Sequence, residues 1–377
     1  MMKIKSVVKG LAVVAMAGGV MAQTAHARDL RLAPGVPPAH PAHTPLYTEF
    51  VTALEEESEG RLSGKIMGTE IASLGNMRTA LRSGLVEAGL LLPAYFPADL
   101  PNFNLIGDMA LLGTNSFAMN GAVTEYIATC DDCQAELNQL GIVYTSTHTT
   151  DVYHLLTNKP VTTVEDLQGM RLRVGGPQYS RWLEAMGGTP ASTPVGETFE
   201  ALSQGVIEGS IASSADIISF RLEDAIDYLT YIGLGTFHST ISHATGQQVW
   251  SSLSPEDREA IARASTRASA LATQRWAYEM PAEAEQVAKD SGIEILEADE
   301  SLHEATARFA KEDLVYAAEQ AESRYGVSDA TAKLERFQEL VEKWNGIIEE
   351  IGEDPQAVAD AINREVWDQV DFTSYGT

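Results

Sequence analysis

Between residues 29 and 92, short β-prone runs alternate with helical patterns, and this alternation limits the chain to folds built on a parallel sheet. Residues 29–34 (DLRLAP), 61–67 (RLSGKIM) and 87–92 (EAGLLL) read as strands. A helix opens at Thr44-Pro45 and carries Leu46, Phe50, Val51 and Leu54 on one face, and a second covers 76–84. Strand, helix, strand, helix, strand in that order requires right-handed crossovers between parallel neighbours.

A second set begins near residue 151. VYHLLTN, MRLRV and IEGSIAS read as strands, and PQYSRWLEAM as a helix that ends at Gly187-Gly188, with Trp182, Leu183 and Met186 facing inward. With 377 residues the chain is long enough for two such units, and ligands bind where cleft walls meet the carboxyl ends of strands. The last third is helical. Ser254 caps a long helix with Pro255 at its first position, Pro281 should kink or break it, and Gly292 closes it before the strand IEILE. Ser301 with Glu304 reads as a capping box, and Ser328 opens a helix whose Leu334, Phe337, Leu340, Val341, Trp344 and Ile348 form an apolar stripe.

Lys3, Lys5 and Lys9, the apolar run Leu11–Ala22 and the A-x-A site at Ala25-His26-Ala27 read as a secretory leader, residues 1–27. No later run of about 18 apolar residues appears, so direct membrane insertion is not expected. Loss of the leader's three lysines takes the formal charge from -27 to -30. Such a chain repels nucleic acid and also repels diffusing anions, so an anionic ligand needs a local basic site. In an oxidising compartment Cys130-Asp131-Asp132-Cys133 is read as an intrachain disulfide. A redox pair is the alternative, although that motif should follow a strand, and here it follows the helical pattern GAVTEYIAT. A zinc site lacks two further ligands.

Catalytic signatures are absent: no GxSxG, HExxH, GxxxxGK[ST] or GxGxxG after a strand occurs, and no cofactor is expected. His40 and His43, in the proline-rich PPAHPAH, read as loop residues and not as a metal pair.

The segments LRLAPGVPPAHP, EEESEGRLSGKI, ALRSGLVEAGLLLPAYFP, LQGMRLRVGG, EAMGGTPASTPVGETFEALSQGVIEGS and WSSLSPEDREAI, in this order, resemble the substrate-binding proteins of TRAP (tripartite ATP-independent periplasmic) transporters, the DctP-like family. The resemblance runs from Leu30 to Ile261 and more weakly to the end. It implies a two-lobed periplasmic-binding-protein-like α/β fold with a ligand cleft between the lobes, a long interlobe helix and a helical C-terminal segment. The expected division is a leader at 1–27, lobe I at 28–150 with a returning segment at 241–253, and lobe II at 151–240. A connecting helix at 254–292 and C-terminal helices at 293–377 complete it. The resemblance also implies a small organic acid as ligand, a TRAP membrane permease as partner and a periplasmic location.

In this family an arginine in the segment matching MRLRV clamps the ligand carboxylate, and the matching position is Arg173. A planar guanidinium presents paired donors to a carboxylate as lysine cannot, and the helix opened by Gly175-Gly176-Pro177 adds favourable N–H groups. Arg171 shares the strand face but lies nearer its start and is assigned a structural or surface role. Relatives that bind sialic acid carry arginine where this chain has Tyr153 and asparagine where it has Ala212, so that ligand is disfavoured. The remaining candidates for neutral contacts are Tyr95, Tyr153 and Ser213 or Ser214, while Gly205 and Gly209 are assigned to turns and packing. Two other classes share these features: a secreted enzyme acting on a carboxylate, which turnover would reveal, and a ligand-binding sensory module.

Overall fold

The computed structural model describes residues 27–113 and 115–377. Apart from Ala27, the leader expected at 1–27 lies outside the described residues.

Eleven strands are described: β1 (Arg28–Ala33), β2 (Leu62–Ile66), β3 (Ala88–Leu91), β4 (Ile142–Val143), β5 (His154–Thr157), β6 (Arg171–Val174), β7 (Thr189–Ser192), β8 (Gly209–Ala212), β9 (Tyr228–Tyr231), β10 (Ile241–Gly246) and β11 (Glu294–Glu297). They form two mixed sheets. The first has the order β2-β1-β3-β10-β4, with β1 parallel to β2 and β3, and β10 antiparallel to both of its neighbours. The second has the order β11-β9-β5-β8-β6-β7, with β6 parallel to β7 and β8, β5 antiparallel to β8 and β9, and β11 parallel to β9. The parallel pairs β1–β2, β1–β3, β6–β7 and β6–β8 are those that the strand-helix-strand alternation requires. The antiparallel members β4, β5 and β10 lie at chain passages between the lobes, where no crossover helix sets direction. Because β11 borders the second sheet, the segment after residue 293 starts in that lobe before turning helical.

Helix Leu46–Glu57 buries Leu46, Tyr47, Phe50, Ala53 and Leu54, the spacing of a single face. Three caps differ from expectation. Leu46–Glu57 begins after Pro45 with no side-chain cap, Glu300–Tyr325 begins after Asp299, and Ala330–Ile351 begins after Asp329 in the left-handed region. Ser254 does cap Pro255–Gln274, its hydroxyl accepting from the Asp257 amide at 3.1 Å.

Pro281 does not break the long helix. Pro255–Gln274 runs into a π-turn, Arg275–Glu279, and on through Met280–Ser291 to Gly292. Proline supplies no N–H and its ring crowds the carbonyl four residues earlier; one widened turn accommodates both. The first part of this helix packs on Leu46–Glu57 in the first lobe, and the last part on Asp216–Ser219 and β11 in the second. One helix thus spans both lobes, and its π-turn lies between the two packing regions.

Two extended passages cross beside it, residues 144–153 and 232–240. Tyr153 N–H donates to Gly235 O (2.9 Å), Leu234 N–H to Tyr153 O (2.9 Å) and Thr150 N–H to Phe237 O (3.1 Å). Although polar, Thr145, Ser146, Thr147, His148, Thr149 and Thr150 are all buried. Ser265, Ser269 and Thr273 form an i, i+4, i+8 stripe on the long helix that meets them: Thr145 Oγ1 donates to Ser265 Oγ (3.0 Å), Ser146 and Ser269 share a bond of 2.7 Å, and Thr149 N–H donates to Thr273 Oγ1 (3.1 Å). Buried hydroxyls are tolerated because they are paired with each other.

Candidate functional site

Arg173 is the third residue of β6 and is 2% exposed. Its Nε donates to Thr193 O (3.0 Å) and one terminal nitrogen, Nη2, to Tyr95 Oη (3.1 Å); the other, Nη1, has no hydrogen-bond partner among the described residues. Tyr95 belongs to the other lobe, in the turn Pro93–Tyr95 after β3. Its oxygen also accepts from Val195 N–H at 3.0 Å. Both acceptor sites of the phenol are therefore filled from the opposite lobe, which leaves its O–H as a donor.

Arg173 and Tyr95 line an inner chamber with Leu74, Leu90 and Leu92 of the first lobe, Gly175, Val195 and Asp216 of the second, and His40, His148, Tyr153, Phe237, Thr240 and Trp276 around the crossing passages. Its free space is about 30 Å³, room for a few waters at most, so a ligand enters by parting the lobes. Tyr95 and Gly175 separate it from an outer cavity of about 620 Å³ that also meets Gly176, Pro177, Arg181 and Tyr316. Arg181 ties three elements together at that mouth. It chelates Asp313 at 2.6 and 2.7 Å and donates to Asp108 at 2.8 Å, joining helix Pro177–Ala185 to the first lobe and to helix Glu300–Tyr325.

Burial keeps the chamber's histidines neutral. His40 is pushed down to about 3 by burial, with His148 and His43 adding to the effect, and His148 to about 3 by burial alone. Ala42 N–H donates to His40 Nδ1 (3.0 Å), which fixes the proton on Nε2. His148 Nδ1 lies 2.9 Å from Ser242 Oγ, which also accepts from Ser269 Oγ (2.9 Å). Arg173 is then the only cation lining the chamber among the described residues. The site offers one guanidinium, neutral N–H and O–H donors, and aromatic walls. His40 meets Trp276 edge-on at 4.5 Å, and Tyr153 stacks on Phe237 at 5.8 Å and Tyr179 at 5.2 Å.

Three of the four expected ligand contacts, Arg173, Tyr95 and Tyr153, meet in this chamber. Ser213 does not line it. Its hydroxyl sits behind Trp276, accepting from Trp276 Nε1 at 2.9 Å, while Ser214 donates to Asp151 (3.0 Å). Arg171 is exposed, and Gly205 has φ +67 in a turn. A Cβ on Gly209 would stand 2.6 Å from Leu156 O across the β5–β8 pair, so its role is packing. His40, assigned to a loop, proves to be a buried wall of the chamber, because the proline-rich segment folds inward over Trp276 and Phe220. The remaining residues missed are His148, Asp216, Phe237, Thr240 and Trp276. The one signal for them is the polar run TSTHTTD between the two α/β units, where a surface loop would be expected and a buried crossing is found. Cys130 and Cys133 form a disulfide, with Cα atoms 5.2 Å apart, at the start of helix Asp131–Leu140.

Two α/β lobes joined by three crossings and closed over one buried cation define a ligand-binding protein of the two-lobed kind. The chain belongs to the DctP family, bacterial extracellular solute-binding protein, family 7, whose family model matches residues 32–320. A solute-binding protein of Chromohalobacter salexigens is 27% identical over 315 residues, 79% of this chain and 88% of that one. The ectoine/5-hydroxyectoine-binding periplasmic protein UehA of Ruegeria pomeroyi is 30% identical over 115 residues, 30% of this chain and 33% of its own. In fold, the chain is similar to a TRAP periplasmic solute-binding protein from Bordetella bronchiseptica with bound mandelate (TM-score 0.72, 24% identity, 84% of this chain and 99% of that one). It is also similar to a TRAP solute-binding protein from Rhodoferax ferrireducens in complex with benzoate (TM-score 0.75, 18% identity, 85% and 99%). Among the described residues no helix is long and apolar enough to cross a membrane.

Proposed function

We propose that this protein is the periplasmic receptor of a TRAP transporter, that it closes on a small organic acid whose carboxylate is held by Arg173, and that the closed form delivers the acid to the membrane permease. The observation that carries the reading is the state of Arg173: buried, bonded to the opposite lobe through Tyr95, and with one terminal nitrogen unengaged. A buried cation with spare donors between two mobile walls suits an anion that completes its coordination and holds the walls together. Carboxylates in the names and structures of relatives agree with it. The basic leader and A-x-A site support export, and the disulfide suits an oxidising compartment. The reading is of binding because the family and the relatives are solute-binding proteins.

Calorimetric titration of Arg173→Ala with an acid that raises the melting temperature of the wild type tests it. Losing the charged partner of a buried carboxylate is commonly worth about 2–5 kcal/mol, so affinity falls by roughly 30- to 4000-fold. Unchanged affinity in a folded variant overturns the assignment.

A further inference from the structure

Asp216 opens the short helix Asp216–Ser219 just after β8, is 2% exposed, and lines the same chamber as Arg173. Its Oδ1 is fully buried and accepts no hydrogen bond from any described residue. It forms no ion pair within 4 Å with Arg173, whose Nε and Nη2 are committed to Thr193 and Tyr95 while Nη1 has no partner among the described residues. Spare acceptor and spare donor thus face one small space without meeting. Buried charges left unpaired are expensive, and the arrangement is reasonable where a third group bridges them.

The walls favour one kind of bridge. A plain carboxylate on Arg173 adds a second negative charge beside Asp216 and leaves the Asp216 acceptor unused. A molecule carrying a carboxylate and a cationic or N–H nitrogen satisfies both ends and leaves the chamber neutral. Trp276, Tyr153 and Phe237 also line the chamber, so the body of such a ligand packs against aromatic rings. Burial pushes the Asp216 carboxyl up to about 7, Arg173 drawing it back and nearby Asp151 adding to the rise, so a ligand cation stabilises the ionised form that burial disfavours.

We propose that Asp216 is the specificity-determining residue of the cleft: it accepts a hydrogen bond from a nitrogen of the ligand whose carboxylate Arg173 holds, so that the protein selects small zwitterionic acids, amino or amidinium, over plain carboxylates. The proposal rests on the assignment of Arg173 to the ligand carboxylate.

Matched probes separate the two. Pipecolate with cyclohexanecarboxylate, and proline with cyclopentanecarboxylate, differ essentially in the ring nitrogen; ectoine and benzoate extend the pairs. In thermal-shift assays on the mature protein the zwitterionic members raise the melting temperature and their plain partners do so less or not at all. For the best zwitterion, calorimetry on Asp216→Asn shows affinity reduced tenfold or more and the preference over its plain partner reduced by the same factor, while Arg173→Ala weakens both members. A panel in which no zwitterion shifts the melting temperature overturns the proposal. So does a preference unchanged in Asp216→Asn while Arg173→Ala still abolishes binding, which leaves the carboxylate assignment standing. Binding that survives Arg173→Ala removes that assignment and the proposal with it.

Discussion

Tyr95 and Arg173 together show how little chemistry this cleft uses. One phenol oxygen accepts from Arg173 Nη2 and Val195 N–H of the other lobe, and one guanidinium supplies the charge. Arg173 was singled out by the resemblance, which implies a carboxylate-binding arginine in the segment MRLRV; its position before Gly175-Gly176 alone left an ordinary salt bridge equally open. Asp216 was not: among 53 acidic residues a single carboxylate carries no signal until its burial is known. Its ionisation has a measurable consequence. The ordinary carboxyl value is 3.8, and in the folded protein it rises to about 7, chiefly through burial. Between these values the folded state keeps a proton that the unfolded chain has lost, so stability falls as pH rises, and the whole cost is present above about 7. Asp216→Asn removes that cost. Urea unfolding from pH 4 to 8 should give curves that coincide near pH 4 and separate above it, the variant becoming the more stable by on the order of 4 kcal/mol once the carboxyl is fully ionised. Buried histidines such as His148 and His243 drive stability the opposite way and cancel in the difference. A separation that does not depend on pH would show that Asp216 is not the group being titrated.

At the level of elements, the junction between the lobes is held by hydroxyls. Ser269 bonds Ser146 at 2.7 Å and Ser242 at 2.9 Å, linking the long helix to both extended passages. Ser269→Ala leaves Ser146 without that partner in a buried place and removes the donor to Ser242, at a cost of about 1–3 kcal/mol. Urea denaturation should show the midpoint lowered by that amount with an unchanged slope; a neutral substitution would mean that the stripe is incidental. The sheets and helices were readable because periods of 2 and 3.6 come from burying one face against a lobe's own core. This junction breaks that rule. Thr145–Thr150 are buried yet polar, since they satisfy one another and the stripe Ser265, Ser269 and Thr273, so hydropathy places them on the surface. The π-turn escaped notice for a related reason. Pro281 signals a disturbed helix, but whether the helix breaks or widens depends on the packing on both sides, and it is the widened turn that carries Trp276 into the chamber. Ser213 is a hydroxyl next to β8 in the sequence, and nothing in the sequence tells that the Trp276 indole lies over it.

Across the whole molecule, the formal charge of -27 sets how a ligand arrives, as distinct from how it is held. Arg173 is 2% exposed and lies behind Tyr95 and Gly175, so its field is short-ranged, whereas the carboxylates covering both lobes act at distances comparable to the Debye length, about 10 Å at 0.1 M salt. An approaching anion therefore meets net repulsion until it enters the cleft, and added salt screens that repulsion. A zwitterion of no net charge feels only the gradient of the field and is nearly indifferent to salt. Stopped-flow measurements of the tryptophan emission, in which Trp276 is the tryptophan lining the chamber, made with benzoate and with pipecolate between 20 and 500 mM salt, read both cases. The association rate of benzoate should climb about severalfold across the range while that of pipecolate stays flat. If the benzoate rate fell with salt instead, attraction focused into the cleft by Arg173 would outweigh the acidic surface. Recognition of the charge on the ligand would then begin outside the closed chamber and not within it.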